Sequence, residues 1–315
     1  MTSPLYKVCV VMLSVFSFNA FSAGDRLVEK ILSSDFDFSM GESVAPSIRI
    51  GYLDFQEYPA GGFENVCPNA LRCNFDQMSI QQGFGAPVWV GRKNMLVAAQ
   101  NINVHRFSNE SASVNLYSAG LLVAWLQQYD ANIQWGGFYY KKLVFEDIDN
   151  TFSSPGYTSG LVGRYKHKSS LHAYWGGIYD RTNGVTRWLP YVGVDWAINP
   201  NWQLFAVAPW PSINYTPDPT TVFVLGISPN GSYLPLTKAN EKPVFAENYR
   251  QFGEFVRWDI SLRGEKQLSD FVWVGASIGM GLQGEMNIQP INGEKQTLNL
   301  KDSGFFMLSL SFRPQ

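Results

Sequence analysis

Charged residues are scarce in this chain of 315 residues, at 16% of the total, against about 25% in an ordinary soluble domain. The formal net charge is -2, so the chain lacks the positive field that would attract a nucleic acid. After residue 23 there is also no apolar run of the roughly 18 residues that predict a transmembrane helix. Aromatic residues, by contrast, reach 15%. So many large apolar side chains exclude a disordered protein.

Cysteine and histidine are equally rare, with three of each. Five residues separate Cys67 from Cys73, and in an exported protein such a close pair predicts a disulfide that closes a small loop. A metal site is the alternative interpretation, but the three histidines are distant in sequence and offer no second pair of ligands. The chain also has no P-loop and no nucleotide-binding glycine pattern. We therefore expect no metal and no cofactor.

The N-terminus has the pattern of a secretory signal peptide, predicted over residues 1–22. Lys7 supplies a positive charge, and the apolar run 8–18 is too short to span a bilayer as a helix of about 20 residues. Small residues then provide a cleavage site, and an uncleaved N-terminal anchor is the alternative. Residues 23–44 are predicted to form a periplasmic N-terminal arm, and residues 45–315 a single β-barrel domain.

Alternation of apolar with polar or small residues dominates the rest of the chain. Val256, Trp258, Ile260 and Leu262, for example, alternate with charged and hydroxyl-bearing residues over 256–263. Because successive side chains of a strand point to opposite faces, each such segment has one apolar face. The predicted strands number fourteen, or twelve if 221–227 and 231–237 form an outer hairpin: 45–55, 77–90, 93–107, 113–127, 131–144, 157–167, 170–179, 187–198, 201–215, 221–227, 231–237, 251–263, 270–283 and 304–312.

The connections between these strands alternate between short and long, which is typical of bacterial outer-membrane barrels with tight periplasmic turns and longer outer loops. An even strand count places both termini on the short-turn side. Alternation alone also fits a soluble β-sandwich. The scarcity of charge on the apolar faces and the aromatic residues near strand ends favour an all-β, antiparallel transmembrane barrel.

One block of sequence resembles a known family. Residues 190–196 read P-Y-V-G-V-D-W, and a short turn at 199–202 and the proline-interrupted segment 209–211 follow. This arrangement resembles the central block of an uncharacterised family of bacterial outer-membrane β-barrel proteins with a P-x-x-G-V-x-W core. The resemblance implies a barrel fold and an outer-membrane location, and it brings no activity with it.

Charged residues that alternate with the apolar side chains lie on the other face of their strand, and these are the candidate lumen-lining residues. Arg257 and Asp259 are expected to pair along one strand, which leaves Arg263 as an uncompensated cation near the periplasmic mouth. Such a charge lowers the barrier for anions. The sequence therefore favours a non-enzymatic, porin-like channel or transporter for small solutes, with outer-membrane lipid as its surroundings. The full candidate set is Arg164, Lys166, Asp195, Arg257, Asp259 and Arg263.

Two other functions stay open. A closed structural or surface-interaction barrel would have its lumen filled by side chains. A lipid-modifying enzyme is suggested by His167-Lys168-Ser169, which is similar to the H-x-S core of outer-membrane lipid A deacylases, where the histidine activates the serine. The predicted topology places this triplet at a periplasmic turn, whereas lipid A fills the outer leaflet. We therefore interpret it as a polar turn.

Overall fold

The computed structural model describes residues 33–36, 49–62, 74–108, 113–145, 153–182, 185–235, 252–289 and 296–313. The predicted signal peptide, most of the N-terminal arm, and Cys67 and Cys73 lie outside these ranges. No helix in the described ranges is long and apolar enough to cross a bilayer.

The described ranges contain sixteen strands. The strands are β1 (Gly51–Gly62), β2 (Asn74–Val90), β3 (Asn94–Ser108), β4 (Ser113–Gln128), β5 (Ile133–Phe145), β6 (Ser153–Lys168), β7 (Leu171–Thr182), β8 (Val185–Pro190), β9 (Gly193–Asn199), β10 (Trp202–Val207), β11 (Ser212–Asp218), β12 (Thr221–Pro235), β13 (Phe252–Ser269), β14 (Val272–Gln289), β15 (Gln296–Leu300) and β16 (Ser303–Phe312).

These strands form one closed antiparallel barrel. Each strand pairs with its neighbours, β1 pairs with β16, and the β13–β14 pairing completes the ring. The sixteen strands occupy fourteen positions because β8 and β9 both pair with β7, and β15 and β16 both pair with β14. The predicted fourteen-stranded barrel is confirmed, and the twelve-stranded alternative is wrong.

The two ends of the barrel differ as expected. Connections of two to four residues, such as 169–170 and 219–220, join the strands at one end. At the other end the connections include 63–73 and 236–251. β1 begins and β16 finishes at the short-turn end, where Gly51 pairs with Phe312. In outer-membrane barrels the short-turn end is the periplasmic end.

The predicted strand 187–198 is divided into β8 and β9, and β15 was not predicted; neither difference changes the number of positions in the ring. Two further differences affect that number. The segment predicted as one strand over 201–215 is two strands, β10 and β11, joined by a turn at 208–211 that contains Pro209 and Pro211. The segments predicted as a hairpin, 221–227 and 231–237, form the single strand β12. The first of these differences adds a strand and the second removes one, so the total of fourteen is unchanged.

The alternation of faces follows the predicted phase. Trp258, Ile260 and Leu262 on β13 are 40%, 37% and 50% exposed, whereas Arg257 and Asp259 between them are 6% and 5% exposed. The exposed apolar residues therefore lie outside the barrel and the charged ones inside, in the lumen. Reversing the phase would place arginine in hydrocarbon at about 2–4 kcal/mol near the bilayer midplane.

Outward aromatic residues form two rows near the two ends of the barrel. Towards the long-loop end, Tyr139, Tyr157, Tyr179 and Trp188 follow one another across four strands, with ring centroids 4.9–6.0 Å apart. Towards the short-turn end, Trp202, Tyr215 and Phe223 form a similar row, with centroids 4.6 and 6.4 Å apart. Aromatic girdles of this kind mark the two membrane interfaces of outer-membrane barrels. The band between the rows is accordingly the height of the hydrocarbon core.

One sector of the wall is lower than the rest. β9, β10 and β11 contain seven, six and seven residues, fewer than the 9–11 that a spanning strand needs. Above them, among the described strands, β8 pairs only with β7, and β12 beyond Ile227 pairs only with β13. We call this gap between β8 and the upper part of β12 the notch. β12 also approaches β5, on the opposite wall, to within 8 Å between Cα atoms.

Candidate functional site

A hydrogen-bonded network joins strands on one side of the lumen in its long-loop half. The Tyr58 hydroxyl donates to Asp259 Oδ2 at 2.5 Å, and Gln56 Nε2 donates to the same hydroxyl at 2.6 Å. Asn230 Nδ2 lies 2.9 Å from the Tyr58 hydroxyl and 2.8 Å from Asp259 Oδ2. Three separate parts of the chain, on β1, β12 and β13, are thereby joined inside the barrel.

Arg257 belongs to the same network. Its Nε lies 3.2 Å from Asp259 Oδ1, so the pair expected from the sequence is present. The Arg257 guanidinium carbon also lies 3.1 Å from the centroid of the Tyr58 ring and 4.8 Å from that of Phe255. A desolvated cation over an aromatic face is stabilised by about 2 kcal/mol or more. The charge of Arg257 is thus compensated by one carboxylate and two ring faces.

A second cluster lies in the lumen near the short-turn end and is centred on Glu265. Arg49 contacts Glu265 Oε1 and Arg313 contacts Glu265 Oε2, while Arg263 Nε lies 3.0 Å from Oε1. Arg49 also lies 3.8 Å from Asp54. The Glu265 side chain is almost fully buried among the arginines. We call these five residues the Glu265 cluster.

The Glu265 cluster corrects one sequence expectation. Arg263 is not an uncompensated cation, because it is paired with Glu265 two residues further along the same face. The cluster nevertheless contains three arginines and two carboxylates, so its formal charge is +1 (three minus two). The excess of positive charge predicted for the periplasmic mouth therefore remains, and it belongs to a group of residues rather than to one arginine.

The remaining candidates form a third group on the wall from β6 to β11. Arg164 hydrogen-bonds Tyr174. Asp195 is buried and accepts a hydrogen bond from Gln203 Nε2 at 2.7 Å, and Gln203 in turn accepts one from Asn214 at 3.2 Å. Lys166 pairs in register with His172 close to the β6–β7 turn. The six sequence candidates thus separate into three groups at different places on the lumen wall.

The sequence interpretation missed most of the partners of these residues. Tyr58 and Glu265 lie beyond the predicted strand ends at 55 and 263, Arg49 lies two residues before β1, and Arg313 directly follows β16. Tyr58, Glu265 and Arg313 continue the lumen-facing alternation of their strands, whereas Arg49 precedes β1 and lies out of phase with its lumen-facing residues. If the predicted strand 251–263 had been extended two residues at a time for as long as the alternation continued, the next lumen-facing residue after Arg263 would have been Glu265.

Large apolar side chains fill the lumen at the level of Tyr58 and above it. They are buried on seven different strands, which narrows the interior in its long-loop half. The close approach of β12 to β5 has the same effect. A cavity lined in part by Tyr58, Gln77 and Arg257 remains there. The buried apolar side chains are Phe75, Phe107, Leu116, Val144, Phe255, Met286 and Phe305.

The polar triplet His167-Lys168-Ser169 lies where the sequence interpretation places it. β6 ends at Lys168, Ser169 and Ser170 form the turn, and both His167 and Ser169 are exposed at the short-turn end. The His167 ring lies 6.4 Å from the ring of Tyr165, between centroids. Within the described ranges, no group of three or more His, Cys, Asp or Glu residues is arranged to hold a metal ion.

Comparisons with known proteins bear on the fold. No family model and no curated protein sequence matches the chain. Among solved structures, the chain is similar to a FadL homologue from Pseudomonas aeruginosa, at 10% identity over 85% of this chain and 90% of that one, with a TM-score of 0.41. It is also similar to the translocator domain of the autotransporter NalP from Neisseria meningitidis (10% identity, 93% and 95% coverage, TM-score 0.35) and to LpxR from Salmonella typhimurium (8% identity, 83% and 99% coverage, TM-score 0.35). At these identities the likeness is one of fold.

Proposed function

We propose that this protein is a barrel of the bacterial outer membrane that passes small solutes through a constricted lumen, with a weak preference for anions. The Glu265 cluster is the observation that carries the proposal. Buried ion pairs are often no more stabilising than apolar side chains of similar volume. A lumen serving only as a core would be filled at least as well by apolar residues. Glu265 is buried between the arginines, but the side chains of Arg49 and Arg263 keep 20% and 27% of their surface exposed, which favours contact of the cluster with water or solute.

The structure supports a narrow passage rather than a wide pore. The long-loop half is packed with aromatic and aliphatic side chains, and below them Tyr58 joins Arg257 and Asp259 inside the lumen, over the two strands between β1 and β13. Such a lumen would restrict solutes by size and by charge. The +1 formal charge of the Glu265 cluster, at the short-turn end, would favour anions.

Reversal potentials in planar bilayers test this proposal. In a salt gradient, wild-type protein is expected to show a weak anion preference, and Arg263→Glu is expected to reverse it, because the cluster charge changes from +1 to -1. Arg92→Glu is the matched control. Arg92 is 84% exposed at a turn of the same end, where it pairs with Asp35 at 2.8 Å.

The control carries the same change of two charge units outside the lumen, so its selectivity should remain that of the wild type. A cation preference that Arg263→Glu leaves unchanged would refute the charge argument. If wild-type protein shows no conductance at all, the closed structural barrel replaces the solute channel.

A further inference from the structure

Among the strands that the structure describes, the notch interrupts the wall at the height of the membrane. Its lower edge is the β10–β11 turn, where Ala208 donates to the carbonyl of Val192 and Ile227 donates to that of Pro211. On the β12 side it begins at Ile227, which pairs with the outward-facing Ile260. On the β8 side it is bordered by Trp188, the end of the aromatic row near the long loops. It therefore spans the outer part of the hydrocarbon band.

Open strand edges in hydrocarbon are costly because their backbone groups have no water to bond with. Prolines reduce that cost here. Pro190 ends β8, Pro209 and Pro211 lie in the turn below the notch, and Pro229 and Pro235 lie on the segment of β12 above Ile227. Proline lacks a backbone N–H and is typical of strand edges. The five prolines therefore line the whole boundary of the notch.

The register shows which way the missing N–H groups would point. The N–H of Ile227 points towards β11, so the N positions of Pro229 and Pro235, two and eight residues later, lie on the same edge of β12. The N–H of Tyr191 points towards β7, so that of its neighbour at position 190 would point into the notch. Of the seven positions facing the notch (186, 188 and 190; 229, 231, 233 and 235), three are proline. The sequence thus adapts these edges to remain unpaired.

Both sides of the notch are apolar. Outside, Trp188 is 72% exposed and Ile227 40%, so the acyl chains of the outer leaflet lie against its rim. Inside, an aromatic cluster forms the floor: the ring of Tyr191 lies 5.9 Å from that of Tyr174 and 6.5 Å from that of Trp210, between centroids. Tyr174 also lies 5.9 Å from Phe205. An apolar chain entering from the leaflet would remain in contact with apolar surface.

A cationic group lies on the same face below this floor, because Arg164 hydrogen-bonds Tyr174. Lys166 follows Arg164 at a spacing of two and shares its face of β6. Asp195 attracts Arg164, so Arg164, Lys166 and Asp195 together carry a formal charge of +1 (two minus one). That charge matches an anionic head group at the lumen end of the path, and the apolar rim matches an acyl chain at the membrane end.

We propose that the notch is a lateral entrance between the outer leaflet and the lumen, and that it admits an amphiphile with one acyl chain and an anionic head group. The proposal extends the solute-passing function by naming a substrate class. It also requires a path through the wall rather than along the barrel axis.

The test uses full-length protein in phosphatidylcholine vesicles and the fluorescent fatty acid 11-(dansylamino)undecanoic acid. Saturable binding is measured by direct excitation of the dansyl group. Trp210→Ala is expected to weaken the apparent affinity about tenfold, because it removes an aromatic side chain from the floor of the notch. Trp202→Ala is the matched control. Trp202 is 42% exposed against 41% for Trp210, and it lies at the opposite end of β10.

A second variant closes the notch. Two residues, Thr-Val, are inserted after Val207 and two, Val-Thr, before Ser212, which lengthens each strand by about 7 Å. Its control has the same four residues inserted after Pro219, in a short turn. The first insertion is expected to abolish saturable binding, and the control to retain it. Heat-dependent gel migration verifies that each variant has folded.

Binding that the lengthened hairpin leaves unchanged would overturn the proposal, as would equal losses for Trp210→Ala and Trp202→Ala. Cross-linked dimers joined through the edges of β8 and β12 would overturn it as well, because a second copy would then cover the notch. The conductance assay is independent of these results. A barrel that conducts no ions but binds the probe through the notch refutes the solute channel and supports the entrance.

Discussion

Replacing Glu265 with Gln tests the electrostatics of the lumen most directly. The change removes the negative charge that Arg49, Arg263 and Arg313 all contact, while it keeps the shape of the side chain. At the 3.0 Å separation of Arg263 Nε and Glu265 Oε1, and an effective dielectric constant of about 20, one such pair is worth about 5 kcal/mol of Coulomb energy.

Part of that energy is recovered, because an amide is cheaper to bury than a carboxylate and still accepts hydrogen bonds. The arginines, however, lose their shared counter-charge, and breaking a buried ion pair on one side typically costs 3–5 kcal/mol. We expect the free energy of unfolding to fall by about 3 kcal/mol. The cluster charge rises from +1 to +2, so anion preference should strengthen in the same variant.

The assay is urea-induced folding and unfolding in lipid vesicles, followed by tryptophan fluorescence. Lys266→Gln is the matched control, because it also removes one charge from β13, at the next residue. Lys266 forms an exposed pair with Asp218 at 3.7 Å, and exposed pairs contribute little to stability. A loss below about 1 kcal/mol in Glu265→Gln would show that water screens the cluster, and would refute the reasoning from burial.

Two further predictions concern single side chains. Tyr58→Phe removes the hydroxyl that bridges Asp259, Gln56 and Asn230; leaving buried polar groups without that partner should lower the free energy of unfolding by about 1–3 kcal/mol in the same vesicle assay. His167→Ala and Ser169→Ala should leave the acylation of lipid A unchanged by mass spectrometry, since both lie at an exposed short turn; deacylated lipid A that disappears in either variant would instead establish the enzyme.

The strand phases could be predicted from sequence because the lipid-facing and lumen-facing environments differ so strongly. On β13, Trp258 and Ile260 must alternate with Arg257 and Asp259, since a shift by one residue would exchange the two faces. The ends of the strands were harder to predict from the sequence. The alternation weakens there, because Glu265 lies between Gly264 and Lys266 and Tyr58 follows Glu57, so both residues fell outside the predicted limits.

The sequence interpretation misjudged proline twice: it overlooked a strand break at Pro209 and Pro211, and it expected a break at Pro229 where there is none. Pro209 and Pro211 end β10 and precede β11, because a central strand has no place for residues without an N–H. Pro229 leaves β12 intact, because its nitrogen faces the open edge and no ladder bond is lost. Whether a proline breaks a strand thus depends on which neighbour its nitrogen faces. That is a property of the assembled sheet and is not visible in the local sequence.

The lumen network and the notch are parts of one arrangement, because Asn230 belongs to both. It lies on the segment of β12 that has lost β11 as a neighbour, and its side chain donates to Tyr58 and Asp259 inside the barrel. One of these hydrogen bonds attaches this segment of β12 to β1 inside the lumen, and the other attaches it to the neighbouring strand β13. A strand edge in hydrocarbon needs such support, since it lacks half of its backbone partners. The buried polar residues therefore help to hold open the gap that the prolines permit.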